Sequence, residues 1–151
     1  MKTKLTLALL AVTLTGTVSA QMKPEDAIKF RQSAYTTMGW SMARIKGNVE
    51  GTYNKEDVIK AANVIQAIAN SGMGALYLPG TDQGTGWEKT RVKPAFFTDK
   101  EGVAKVAMAF NKEANEMAKV AATGDAAAAK EQFGKLSATC KGCHDDFKIK
   151  N

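Results

Sequence analysis

From Ala126 to Phe147 the core-type residues recur in steps of three and four without exception: Ala126, Ala129, Phe133, Leu136, Cys140, Cys143, Phe147. Only an α-helix gathers such a series on one face, and this alternation is the period at which helices pack side by side in a bundle. Asp125 stands in front of the run as an N-cap, and Gly124 closes the segment before it. Both cysteines therefore fall on a stripe that faces the core, and whatever they hold lies inside the bundle. The first helical segment repeats the pattern. Pro24 suits a first helical position, Glu25 and Asp26 sit where the helix dipole favours acids, and the seam runs Ile28, Arg31, Tyr35, Met38, Met42, Ile45, Val49. One cation, Arg31, occupies a place that belongs to an apolar residue.

Two further segments carry helix signals, and none carries a strand alternation. The second starts at Asn54, with Asp57 three residues on, and runs through Val58, Ala61, Ile65 and Ile68 towards Gly72. The third is expected to start at the capping pair Thr98 and Glu101, with Val103, Val106, Phe110, Met117 and Val120 in its core. The joins near Gly47 to Tyr53 and at Gly124 are short, which suits antiparallel neighbours. Between helices 2 and 3, from about Ser71 to Phe97, the chain carries Pro79, Pro94 and a glycine-rich run from Gly80 to Gly86. So long a connection is uncommon in a compact domain, and a crossover that covers a ligand accounts for it. The expected architecture is all-α, an antiparallel four-helix bundle with a long crossover between helices 2 and 3.

The N-terminus belongs to a different category. Lys2 and Lys4, an apolar run from Leu5 to Leu14 and Val18-Ser19-Ala20 form a secretory signal peptide over residues 1–20, cleaved after Ala20. Residues 21–151 are then one domain with 19 basic against 15 acidic side chains, a net charge of +4. The lysines are scattered among acids, so there is no nucleic-acid footprint, and no later stretch is apolar for long enough to enter a membrane. The expected location is the periplasm, an oxidising compartment in which two cysteines three apart need an explanation.

That explanation lies in Cys140-Lys141-Gly142-Cys143-His144, a C-x-x-C-H string. Two thiols on one helical face can add to the two vinyl groups of a haem, and the adjacent imidazole can reach the iron from the same side. The competing chemistries fit less well. A thioredoxin-type redox pair needs a βαβ setting, a disulfide across three residues staples almost nothing, and one histidine with two cysteines cannot close a four-ligand zinc site. One covalently attached haem c per chain is the expectation. It also gives Arg31, with Gln32 beside it, a partner in a haem propionate; the plainer alternative is that Arg31 snorkels from the bundle edge. Met38, one turn beyond Tyr35, either packs in the core or supplies a thioether to the iron.

The opening helix with Lys23-Pro24-Glu25-Asp26 and Phe30-Arg31-Gln32-Ser33, the long second crossover and the C-x-x-C-H close to the C-terminus together resemble cytochrome c′, the high-spin class II cytochromes c. The resemblance covers residues 21–151, and its specificity comes from the late placement of the haem motif and from the Arg-Gln pair. It implies a left-handed antiparallel four-helix bundle, usually a homodimer, with His144 as the proximal iron ligand and no protein ligand on the opposite face. It further implies that Tyr35 points at that vacant face and that Lys148, one turn after His144, lies near the proximal pocket. The expected function is a periplasmic five-coordinate haem protein that binds nitric oxide and carbon monoxide, serves nitric oxide scavenging or tolerance, and can exchange electrons with a redox partner the sequence does not name. The alternative is a six-coordinate low-spin electron carrier with Met38 on the iron. An enzyme is not expected, because the one histidine is committed to the iron and Tyr35 is the sole local acid or base.

Overall fold

The computed structural model describes residues 22–150, so the expected signal peptide lies outside the described residues. The chain forms α1 (Pro24–Glu50), α2 (Lys55–Ala69), a single 3-10 turn (Met73–Leu76), α3 (Ala95–Thr98), α4 (Lys100–Thr123) and α5 (Ala126–Phe147). The four long helices pack in a closed circuit, α1 on α2, α2 on α4, α4 on α5 and α5 back on α1. This is the expected four-helix bundle, up-down-up-down, with the crossover between the second and third long helices.

The caps explain the boundaries. Asn54 accepts the amide of Asp57 at 3.1 Å and opens α2, while Asp125 accepts the amides of Ala127 and Ala128 and opens α5. Gly124 ends α4 at φ +81, a left-handed conformation that other residues adopt only with strain. Two sequence expectations shift. The third long helix is capped by Asp99, which accepts the amide of Gly102 at 2.8 Å, because Pro94 starts an extra helical turn that ends at Thr98. The second ends at Asn70 instead of Gly72, with the Asn70 side chain turned back to the carbonyl of Gln66.

The core is built from few large and many small side chains. Ile45, Val58, Ile65, Met117 and Leu136 are fully buried together with Ala61, Ala62, Ala114, Ala121 and Ala129, so the helices approach closely wherever alanine stands. In α4 Ala114, Met117, Ala118 and Ala121 take the innermost places, and Val103, Val106, Phe110 and Val120 are only half-buried. Ala126, the first residue of the α5 stripe, is exposed, whereas Ala129, Leu136 and Phe147 are buried.

One asymmetry positions the site. α1 has 27 residues, α4 has 24 and α5 has 22, whereas α2 has only 15. At 1.5 Å per residue α2 falls about 10 to 18 Å short of its neighbours. Its start is level with the end of α4, where Lys55 lies against Gly124, and its end is level with the middle of α4, where Gln66 and Asn70 bond Asn115 and Asn70 bonds Asn111. The opposite end of the bundle thus has three helices and a gap where the fourth would be. The crossover walls that gap, and the last turns of α5, with Cys140, Cys143 and His144, lie at that end.

Candidate haem site

Cys140, Cys143 and His144 stand three and four apart on α5, so they share one side of the helix at its C-terminal end. Both cysteines are free thiols and half-buried. Burial pushes both thiols above their ordinary range, and Cys143 rises further through Cys140 and Asp146. His144 is more open to solvent, and burial, then the charges of Lys148 and Arg91, push its pKa down. A neutral imidazole keeps the lone pair that a metal needs. Among the described residues no three His, Cys, Asp or Glu side chains converge as a metal cluster, so the cysteines and histidine do not make an ion site of their own. Two unpaired thiols one turn apart beside a neutral imidazole are instead the donor set of a C-x-x-C-H haem, and they face the end of the bundle where α2 is missing. The residues fit that group.

The crossover is stitched to α1 by the Arg-Gln pair. Arg31 is 2% exposed, and its guanidinium donates to Thr81 Oγ1 at 2.7 Å, Thr90 Oγ1 at 2.8 Å, the Leu76 carbonyl at 3.3 Å and the Thr81 carbonyl. Snorkelling from the bundle edge is therefore incorrect: the charged end is buried among crossover acceptors, which hold it there. Gln32 does the same one residue on, accepting the amide of Trp87 at 2.8 Å and donating to the Glu88 carbonyl at 2.9 Å. Trp87, 69% exposed, lays its indole along α1 and donates to Ser33 Oγ at 2.8 Å. Gly86 passes so close that a Cβ there would stand 2.5 Å from Gln32 Oε1 and 2.8 Å from the Lys29 amide nitrogen.

Tyr35 and Met38 part company. Met38 is 6% exposed and belongs to the buried core cluster. Tyr35, one turn earlier, is 44% exposed and shares a 2.7 Å hydrogen bond between its hydroxyl and that of Tyr77. Tyr77 stacks on Phe96 with centroids 4.0 Å apart, Arg31 lies over its other neighbourhood at 4.8 Å from the ring centroid, and Phe96 meets Phe147 edge-on at 5.7 Å. Burial pushes both phenols up, and the nearby Cys143 adds to the rise at each, so the hydroxyl pair lies near the thiols.

One turn beyond His144, Lys148 ends the helix, its amide donating to the His144 carbonyl at 3.2 Å. The tail then pairs with the crossover: Lys93 donates its amide to the Phe147 carbonyl at 2.9 Å and Ile149 donates to the Arg91 carbonyl at 2.8 Å. Lys93 also sends its ammonium to the carbonyls of Asp145 and Asp146, at 2.8 and 3.0 Å, where the helix dipole favours a cation. A cavity of about 300 Å³ lined by Arg91, His144, Asp145, Lys148, Ile149 and Lys150 opens there. Lys148 thus lies beside His144, with Arg91 as a second cation. Sequence periodicity had no means of finding Tyr77, Thr81, Thr90 or Arg91, since all four lie in an irregular segment and are recruited by contacts 42 to 59 residues away in the chain or by the C-terminal tail.

Fold and site together define a c-type haem protein built on a helical bundle. The family model described as Cytochrome C′ matches residues 26–148, and the chain belongs to the cytochrome c′ family. The family carries haem c covalently, and Cys140 and Cys143 fit its attachment motif. The cytochrome c′ of Rhodocyclus tenuis is 65% identical over 130 residues, covering 85% of this chain and 98% of that protein. The crystal structure of cytochrome c′ from Thermochromatium tepidum superposes with a TM-score of 0.83 at 49% identity, covering 87% of this chain and all of that one. A cytochrome c′ described as having a ligand-controlled dimer dissociation superposes at 0.84 with 55% identity over 87% of this chain and 100% of that one. A nitric oxide complex of a variant from Alcaligenes xylosoxidans superposes at 0.74 with 28% identity, over 85% of this chain and 98% of that one.

Proposed function

We propose that the mature protein is a periplasmic, five-coordinate, high-spin haem c protein that binds nitric oxide and carbon monoxide and serves nitric oxide scavenging or tolerance. His144 is the proximal ligand, Lys148 lines the proximal side, and Tyr35 faces the vacant side. When bound, the haem supplies an iron with one face open to a diatomic ligand. The observation that carries this proposal is the separation of Met38 from Tyr35. The Met38 thioether belongs to the bundle core, with Met42 packed against it, and the position one turn earlier than Met38 presents a phenol whose raised pKa keeps it protonated and a poor ligand. The nitric oxide complex of a structural relative supports the same chemistry.

The remaining roles follow from the same residues. Arg31 and Gln32 are expected to touch a haem propionate only through what their crossover bonds leave over, since both Arg31 amino groups are already spent on the crossover. Electron exchange with a periplasmic redox partner and assembly as a homodimer complete the proposal, the latter by analogy with the relative whose dimer responds to ligand. Enzymatic turnover is not part of it, because the site offers a phenol and no free general base. Among the described residues no helix is long and apolar enough to cross a membrane.

The test is optical. Haem-loaded protein should show high-spin bands in both redox states and a clear shift when carbon monoxide meets the ferrous form. Low-spin bands indifferent to carbon monoxide would overturn the proposal in favour of a six-coordinate electron carrier, with Met38 displaced from the core onto the iron.

A further inference from the structure

The geometry points to Tyr77, a residue of the crossover, as the group that positions the Tyr35 hydroxyl and so sets how the site treats a small ligand. This inference rests on the gas-binding proposal above. Tyr35 is on a rigid helix, yet its ring is 44% exposed, and helix packing alone leaves its outer end unfixed. The contact the structure gives its hydroxyl is Tyr77, at 2.7 Å. Tyr77 itself is held on two sides. Its ring stacks on Phe96 at 4.0 Å, and the Arg31 guanidinium, 4.8 Å from the same ring, bonds the Leu76 carbonyl next to it in the chain.

A phenol has one proton to donate, so the hydroxyl pair is a choice as well as a clamp. Whichever oxygen accepts within the pair decides whether Tyr35 meets a ligand as donor or as acceptor. Either way the orientation of Tyr35 depends on a residue 42 positions away in the crossover. The burial that raises both phenols keeps the pair protonated across the physiological range, so the clamp does not open by ionisation. Tyr77 is thus a positioning residue: it acts on the ligand through Tyr35.

The experiment uses the haem-loaded full protein with carbon monoxide as the probe, in wild type, Tyr35→Phe, Tyr77→Phe and the double variant. Phenylalanine keeps each ring and its stacking and removes only the hydroxyl. The readouts are the carbon monoxide dissociation rate and the C–O stretching band, the second of which a merely structural role would not move. The expected result is that Tyr77→Phe shifts both in the same direction as Tyr35→Phe, by up to about three- to ten-fold in rate, the worth of one hydrogen bond. The double variant should then match Tyr35→Phe alone. An unchanged C–O band in Tyr77→Phe, a shift in the opposite direction, or effects that simply add would overturn the inference while leaving gas binding intact. A gas-independent arm covers the case in which carbon monoxide does not bind at all: a double-mutant cycle on urea unfolding should be non-additive if the hydroxyls are coupled, and additivity there sinks the inference separately from the proposal it rests on.

Discussion

Replacing Arg31 by leucine should loosen the crossover before it loosens the bundle. The side chain makes four hydrogen bonds, two to threonine hydroxyls and two to backbone carbonyls, all from a charged donor in a buried place. Bonds of this kind contribute about 1.5 to 3 kcal/mol each, which would sum to roughly 6 to 12 kcal/mol, but no carboxylate bonds this cation, and the desolvation of an ion returns several kcal/mol when it is removed. The difference leaves an expected net loss of about 3 kcal/mol. Its location is the stronger prediction. Thr81 keeps a bond of its own, donating to the Leu78 carbonyl at 2.8 Å, whereas the Leu76 carbonyl loses its side-chain partner, so the damage should concentrate in residues 76–90. Urea unfolding at 25 °C followed by far-ultraviolet circular dichroism gives the magnitude, and amide hydrogen exchange gives the place. A loss below about 1 kcal/mol, or faster exchange spread evenly over the four helices, would refute the latch. A shift in reduction potential with crossover exchange unchanged would instead restore the propionate as the main partner of Arg31.

Two further outcomes follow from contacts on the same end and on the opposite one. Gly86→Ala should cost about 1 to 3 kcal/mol by overpacking, since the new methyl meets Gln32, Ile28 and the Lys29 backbone at once; thermal unfolding checks it, and an unchanged midpoint would mean the crossover can stand off from α1. At the other end Asp57 accepts from Arg44 and from Asn48 Nδ2 at 2.8 Å, and the Arg44 contact, chiefly, holds its pKa below the usual 3.8. A carboxylate depressed in the folded state stabilises above its unfolded pKa and loses that contribution as pH falls through the folded one. Asp57→Asn should therefore flatten the acid limb of the stability curve below about pH 4 while leaving the haem spectrum unchanged, and an acid limb identical to wild type would remove Asp57 from the account.

What could be seen in the sequence was whatever depends on local period and local caps. The stripe that carries Cys140 and Cys143, the caps at Asn54 and Asp125 and the stop at Gly124 all express interactions within a few residues. Thr98 misled because two capping-competent residues, Thr98 and Asp99, stand side by side, and Pro94, four positions before Thr98, decided which one was used. Arg31 stood out as a charge on an apolar seam, yet its partners could not be read off, because Thr81 and Thr90 reach it from a segment with no period at all. Tyr77 gave no signal for the same reason: its role is created by the return of the chain, and one tyrosine in a loop looks like any other.

The shortness of α2 has an evolutionary consequence. A pocket enclosed by four full helices could be reshaped only by repacking helix against helix, with every change felt through a shared core. Here one wall is a strap tied to α1 through Arg31 and Gln32 and to the chain's tail through Val92 and Lys148. Such a strap can gain or lose residues between its ties, and lineages built on this plan can retune the pocket one insertion at a time while the alanine-rich half of the bundle stays as it is.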